Sequence, residues 1–203
     1  MIDLSPLNNL SIKSVFVGQC IDQLLAQISA EQDYLVALFE TETRGTIWIT
    51  DDAIVGHSVF VTDTNGVNKD KLLKVLNPNI KTLFLWHIDG VMFAKYSKCD
   101  CALLHERLMH LIEFKANARN TSDDSIQANY EKASEQLALT FEKFMELYNS
   151  HGIDLFNILD DIDAMIVFNR TIPQDDAYQK NIISRFSKRT SLNLSFGNEL
   201  KIE

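Results

Sequence analysis

The sequence predicts a mixed α/β domain of the α+β kind, with a mixed central sheet flanked by helices in the order αβββαβ. Three observations carry this. Between about residues 81 and 116, apolar runs of strand length alternate with turn signals. From Ser125 to Asn149, apolar residues recur at spacings of three and four, the mark of a long amphipathic helix. Beyond that helix, AMIVFN (Ala164–Asn169) reads as a short buried strand, and Tyr178–Lys188 as a second amphipathic helix.

In chain order, Ile12–Val17 reads as a short strand and Gly18–Ala30 as a helix, with Leu24, Leu25 and Ile28 on one face. Tyr34–Phe39 is a buried strand or a continuation of that helix, and periodicity does not separate the two. Thr46–Thr50 and Ser58–Thr62 are strands, with turns at Arg44-Gly45 and Asn65-Gly66. Asn68–Val75 reads as a short helix capped by Asn68. Lys81–Ile88 is a strand, and Asp89-Gly90 is the strongest hairpin signal in the chain, so Val91–Tyr96 is expected to pair back on it. The long helix has Ser122, Asp123 and Asp124 at its start and His151-Gly152 as a stop. Its stripe, Ile126, Tyr130, Ala133, Leu137, Phe141, Phe144 and Tyr148, is expected to pack on the sheet. Leu192, Leu194 and Phe196 alternate as a last strand.

A chain of 203 residues fits one domain. Residues 1–80 are read as an N-terminal elaboration with the first helix, 81–170 as the core, and 171–203 as a C-terminal helix and strand. An apolar content of 46% is ample for a core. The N-terminus lacks the basic and apolar regions of a signal peptide, and no apolar run approaches about 18 residues, so no membrane partner is expected. An odd count of three cysteines fits a reduced, cytoplasmic protein. Cys99 and Cys101 are expected on one face of a strand as core thiols, since C-x-C without a second pair lacks zinc spacing. The five histidines, His57, His87, His105, His110 and His151, are scattered along the chain.

The stretch Cys99–Asn117 carries the chemistry. Two apolar runs, Cys99–His105 and Leu108–Ala116, flank Glu106-Arg107 and read as a hairpin. Glu-Arg is a poor two-residue turn because neither residue favours positive φ, so a four-residue loop of the same register is the alternative. If His105 faces Leu108, then Leu104 faces Met109, Ala102 faces Leu111 and Asp100 faces Glu113. Alternation puts Lys115 on Glu113's face, and His105 and His110 on the opposite one. Two opposed carboxylates about 5 Å apart repel unless something positive lies between them, and a divalent cation does that well. The plainer alternative is an edge hairpin with a surface ion pair between Glu113 and Lys115.

At these residues the chain resembles the restriction-endonuclease-like, or PD-(D/E)xK, nucleases: Asp100, twelve intervening residues, then Glu113-Phe114-Lys115, with Cys99 where the motif's name has Pro. The αβββαβ order extends the resemblance over roughly residues 81–170. It implies a restriction-endonuclease-like core in which Asp100, Glu113 and the Phe114 carbonyl bind Mg²⁺ (or Mn²⁺). Lys115 would position the attacking water for metal-assisted hydrolysis of a phosphodiester. Gln136 matches the Gln of a Gln-x-x-x-Tyr helix motif found in some branches, with Thr140 in place of Tyr. Many members add a Glu from the first core helix. Glu31, Glu40 and Glu42 are the candidates, and Glu40 is ranked first because it follows an apolar run.

The implied partner is nucleic acid, DNA before RNA, with a homodimer supplying one site per strand for duplex cleavage. A net charge of −9 runs against that. Basic clusters at Lys69, Lys71, Lys74 and Lys81, and at Lys180, Arg185, Lys188 and Arg189, could still grip phosphates, although each alone reads as a solvated face. The competing expectation is a nuclease-fold chain that binds a protein or nucleic-acid partner without cutting. No Gly-rich phosphate loop, G-x-S-x-G or H-E-x-x-H competes with the carboxylate site.

Overall fold

The computed structural model describes residues 38–89, 97–115, 122–150, 152, 154–169 and 176–203. Their elements are β1 (Leu38–Glu42), β2 (Thr46–Asp52), β3 (His57–Val61), a 3-10 turn (Lys69–Lys71), β4 (Leu73–Leu76), β5 (Leu83–His87), β6 (Cys101–His105), β7 (Leu108–Phe114), α1 (Asp123–Ser150), α2 (Leu155–Ile158), β8 (Asp161–Val167), α3 (Asp176–Thr190), β9 (Asn193–Phe196) and β10 (Glu199–Lys201). They build two mixed sheets, a six-stranded one in the order β1-β5-β6-β7-β8-β9 and a four-stranded one in the order β10-β4-β2-β3. The α+β class is as the sequence predicts. The strand and helix expected at 12–17 and 18–30 lie outside the described residues.

Three layers result, each covering apolar surface of the next. One core lies between α1, α3 and the larger sheet. There Leu104, Met109 and Leu111 meet Tyr130, Leu137 and Phe144, and Trp86 stacks on Phe144 at 5.1 Å. The other core lies between the two sheets, where Leu85, Leu103 and Ile112 meet Ile47, Ile49 and Val75. Strands β5 and β6 are therefore buried on both faces, which explains why they read as continuous apolar runs rather than alternating ones.

The long helix forms as expected, and its stripe is buried. Ser122 supplies the carbonyl that accepts the Ile126 N–H, and Asp123 and Asp124 place negative charge in the first turn. Gly152, at φ 71°, donates its N–H to the Asn149 carbonyl just past the end, a left-handed stop that glycine takes without strain.

Several expectations change. Leu73–Leu76 is a strand, and only Lys69–Lys71, capped by the Asn68 side chain, is helical. Leu73 and Val75 alternate inward with Lys74 and Leu76, and β2 offers them an edge. The partner expected over 91–96 lies outside the described residues, and β1 and β6 occupy both edges of β5 across Phe84–His87. The extension of β2 to Asp52 and the last strand, β10, were not expected. Strand β10 runs parallel to β4, so a C-terminal strand completes the smaller sheet.

Candidate active site

The site grows out of the β6–β7 hairpin. The register is the expected one along β6, where His105 pairs Leu108, Leu104 pairs Met109 and Ala102 pairs Leu111, but the expected pairing of Asp100 with Glu113 is not part of the ladder, which ends at Cys101 and Ile112. The turn is the tight two-residue form, with the left-handed value on Glu106 alone, at φ 50°. Tertiary contacts hold it. Lys81 Nζ reaches Glu106 at 2.8 Å, and Arg107 Nε reaches Asp160 at 2.8 Å while the Arg107 carbonyl takes the Asp160 N–H. These contacts oppose a left-handed cost of roughly 1–2 kcal/mol.

At the other end of the hairpin the ladder bends. Strand β6 begins only at Cys101, and Asp100 sits in a bend before it. Cys99 lies in the helix-side core and Cys101 in the inter-sheet core, so the expected common face for the two thiols is corrected. The bend breaks the strand alternation that would have kept them together. Cys99 is fixed there by its N–H, which donates to Thr140 Oγ1 at 2.8 Å, and Thr140 in turn donates to the Gln136 carbonyl.

The bend turns the Asp100 carboxylate onto β7, where Oδ2 accepts the Phe114 N–H at 2.6 Å. The Asp100 N–H donates to Ile112, and its carbonyl takes the N–H groups of Ile88 and Asp89. Glu113 alternates onto the helix face and is 1% exposed. Its Oε1 accepts from Lys115 Nζ, whereas its Oε2 is buried without a hydrogen-bond partner. Gln136 completes the group: Oε1 accepts from Lys115 Nζ at 2.9 Å, and Nε2 donates to the Lys98 carbonyl at 2.8 Å. The sequence-derived residues Asp100, Glu113, Lys115 and Gln136 therefore converge where α1 crosses the end of β7.

The electrostatics are those of crowded, dry carboxylates. Burial pushes Asp100 up to about 7, the Phe114 N–H pulls it back, and Asp51 and Asp89 push it further. Burial also raises Glu113 well above the ordinary carboxylate range, and Asp100 adds to it. Asp51, at the end of β2, is raised by burial, then by Asp89 and Asp52, and is lowered by Lys115. The sequence reading missed Asp51 and Asp89 as members of this cluster. The available signal was the Asp51-Asp52 pair closing an apolar strand, but nothing local says that β2 ends beside β7.

Glu40 departs from expectation. It lies on a strand rather than a helix, and its partner in register is Leu85, whose side chain belongs to the inter-sheet core. Glu113 faces the helices. The structure thus separates Glu40 from the Asp100–Glu113 pair and puts it beside His57 and His87. Period-two alternation on β1 decides this.

The donor set fits a hard divalent cation. It offers the carboxylate oxygens of Asp100 and Glu113, and Glu113 Oε2 is an orphaned acceptor that such an ion would satisfy. A cleft of about 140 Å³ adjoins the cluster, lined in part by Asp51, Asn68, Lys71 and Phe114. A larger groove of about 610 Å³ runs between α1 and α3, and none of the four converging residues lines either hollow.

The basic clusters are largely engaged within the chain. Arg189 grips Glu142 and Glu135 at 2.6 Å each, and Arg185 reaches Glu131 at 3.1 Å, tying α3 to α1. Lys74 pairs with Glu199 and Lys81 with Glu106. Among the described residues no helix is long and apolar enough to cross a membrane. Comparison with family models, with curated proteins and with solved structures gave no match.

Proposed function

We propose that this chain is a divalent-metal-dependent nuclease with a restriction-endonuclease-like core, and that Asp100, Glu113 and Lys115 form its centre. One observation carries the reading: two buried carboxylates with raised proton affinity meet at one end of a hairpin, around a lysine held between Glu113 and Gln136. Clustered titratable groups strongly perturbed by burial and by one another are a physical mark of a reactive site.

Asp100, Glu113 and the Phe114 carbonyl would hold Mg²⁺ or Mn²⁺, which supplies a bound water of lowered pKa and polarises a phosphoryl oxygen. The Phe114 N–H fixes Asp100 Oδ2. Lys115 orients the attacking water and offsets charge developing on the phosphoryl oxygens. Gln136 is a positioning residue. Anchored on the Lys98 carbonyl, it sets where Lys115 Nζ sits. Thr140, standing where the resembled motif has Tyr, locks the Gln136 turn of α1 to the start of the hairpin. Cleaving both strands of a duplex would take two such centres, one from each of two copies.

The test is cleavage of single-stranded, double-stranded and branched DNA and of RNA, with Mg²⁺ or Mn²⁺, by the parent chain, Lys115→Ala and Asp100→Ala. Both variants should be inactive, and Mn²⁺ affinity measured by calorimetry should fall far more in Asp100→Ala. Activity surviving both substitutions would place the chemistry elsewhere. A second reading is favoured by the internal pairing of Arg185, Arg189, Lys74 and Lys81, which leaves fewer cations for phosphates. In that reading the fold binds a protein or nucleic-acid partner without cutting, and the parent chain neither binds Mn²⁺ nor cleaves any substrate.

A further inference from the structure

Glu40, His57 and His87 come from β1, β3 and β5, so they join both sheets. One ligand atom from each lies within 4.8 Å of the other two. Glu40 and His87 are diagonal neighbours on adjacent strands, because Glu40 pairs Leu85 and His87 lies two residues on. Diagonal neighbours on one face are within reach of long side chains. His57 opens β3 in the smaller sheet, and its ring meets that of His87 edge-on at 4.1 Å.

Glu40 and His57 are held in place for a ligand role, and His87 turns Nε2 to Glu40. Glu40 Oε2 is anchored by the Phe60 N–H at 3.3 Å, which leaves Oε1 free to lie 3.4 Å from His87 Nε2. That spacing is long for an N–H···O bond. It matches the edge of a tetrahedron with metal–ligand bonds near 2.05 Å, which is about 3.4 Å. His57 Nδ1 lies 3.1 Å from the Ser58 carbonyl. A carbonyl only accepts, so Nδ1 carries the hydrogen and Nε2 keeps its lone pair. A ring N–H donated to a main-chain carbonyl is the usual support of a metal-bound imidazole. His87 is 2% exposed, and its Nδ1 has no hydrogen-bond partner. Glu40 is 37% exposed at its side chain, so solvent and ions reach the group.

We propose that Glu40, His57 and His87 bind one transition-metal ion of the Zn²⁺ class, clipping the smaller sheet to the larger. Two imidazoles with one carboxylate select such an ion over Mg²⁺, which prefers oxygen ligands and retained water. Three protein ligands leave a coordination position open towards solvent. This site does not share residues with the Asp100–Glu113 centre and does not rest on the nuclease reading.

The test is calorimetric titration of the metal-stripped full chain with Zn²⁺, and separately with Mg²⁺, alongside Glu40→Gln, His57→Ala and Asp100→Asn. Both ligand substitutions fall at partly exposed positions, so the fold tolerates them. One Zn²⁺ should bind per chain in the parent and in Asp100→Asn. Glu40→Gln and His57→Ala should each weaken binding by more than about tenfold. Co²⁺ bound to the parent should give visible absorption of low-coordinate form that is lost in His57→Ala. Failure of the parent to bind Zn²⁺ stoichiometrically, or equal affinity in Glu40→Gln and His57→Ala, would overturn the proposal. Loss of Zn²⁺ in Asp100→Asn alone would move the ion to the carboxylate centre and equally overturn it.

Discussion

Replacing Asp100 with Asn should make the metal-free protein more stable at alkaline pH. In the folded chain Asp100 releases its proton at about 7, chiefly because burial penalises the charge, against an ordinary value of 3.8. Its folded-state value is raised, so the unfolded chain loses that proton first as pH climbs from about 4. Over this window the unfolded state binds fewer protons, and stability falls until the folded group also ionises near pH 7. The full difference corresponds to about 4 kcal/mol. Asn imitates the neutral acid in shape and keeps an oxygen for the Phe114 N–H, but it never ionises. In EDTA, Asp100→Asn should match the parent near pH 4 and exceed it by about 2–4 kcal/mol at pH 8. That is a rise of roughly 5–15 °C in Tm for a chain of this size. Urea unfolding followed by circular dichroism at both pH values measures it. Excess Mn²⁺ should then stabilise the parent and leave the variant unmoved. A variant no more stable than the parent at pH 8, or a gap independent of pH, would refute a buried, proton-holding Asp100.

Gln136→Ala should leave Mn²⁺ affinity nearly unchanged while slowing cleavage by about tenfold to a hundredfold through a displaced Lys115, read as a fall in kcat rather than a rise in KM. Leu137→Ala, at a fully buried position under the sheet, should cost about 2–5 kcal/mol in urea unfolding, and a cost under about 1 kcal/mol would mean that α1 does not pack there.

The site was legible wherever its logic is local. A short loop and period-two alternation fix the pairing of His105 with Leu108, and everything along β6 and β7 follows from that pair. Gln136 was singled out by the resemblance to the Gln-x-x-x-Tyr helix motif, and the structure brings it to Lys115 and the Lys98 carbonyl. The reading strained at Asp100. Strict alternation carried it onto Glu113's face, yet the strand starts one residue later and a bend redirects its carboxylate to the Phe114 N–H. Asp51 and β10 were not legible at all. Both belong to the smaller sheet, whose pairings join β10 to a strand some 125 positions earlier, and no local pattern encodes that.

The same non-locality explains how scattered histidines and a misplaced glutamate become one cluster. Glu40 was singled out for following an apolar run, and that run is the reason for its true position. A strand paired on β5 must point alternate residues at the second sheet, and Glu40 is one of them. There it meets His87, which is buried on a strand whose other residues are all apolar. A charged or imidazole group in such a strand demands a partner. Leu85 and Cys101 neighbour His87 on the inter-sheet face and cannot supply one, so the polar company comes from β1 and β3. The sheet that buries Asp100 and Glu113 at one end of the β6–β7 hairpin therefore gathers a second polar group against the other layer. The two groups differ in donor chemistry: all oxygen at the first, and two imidazoles with one carboxylate at the second. A titration with Mg²⁺ and Zn²⁺ on the same preparation should consequently resolve two independent sites, each abolished by a different substitution, Asp100→Asn for the first and His57→Ala for the second. Competition between the two ions for one site would refute that separation.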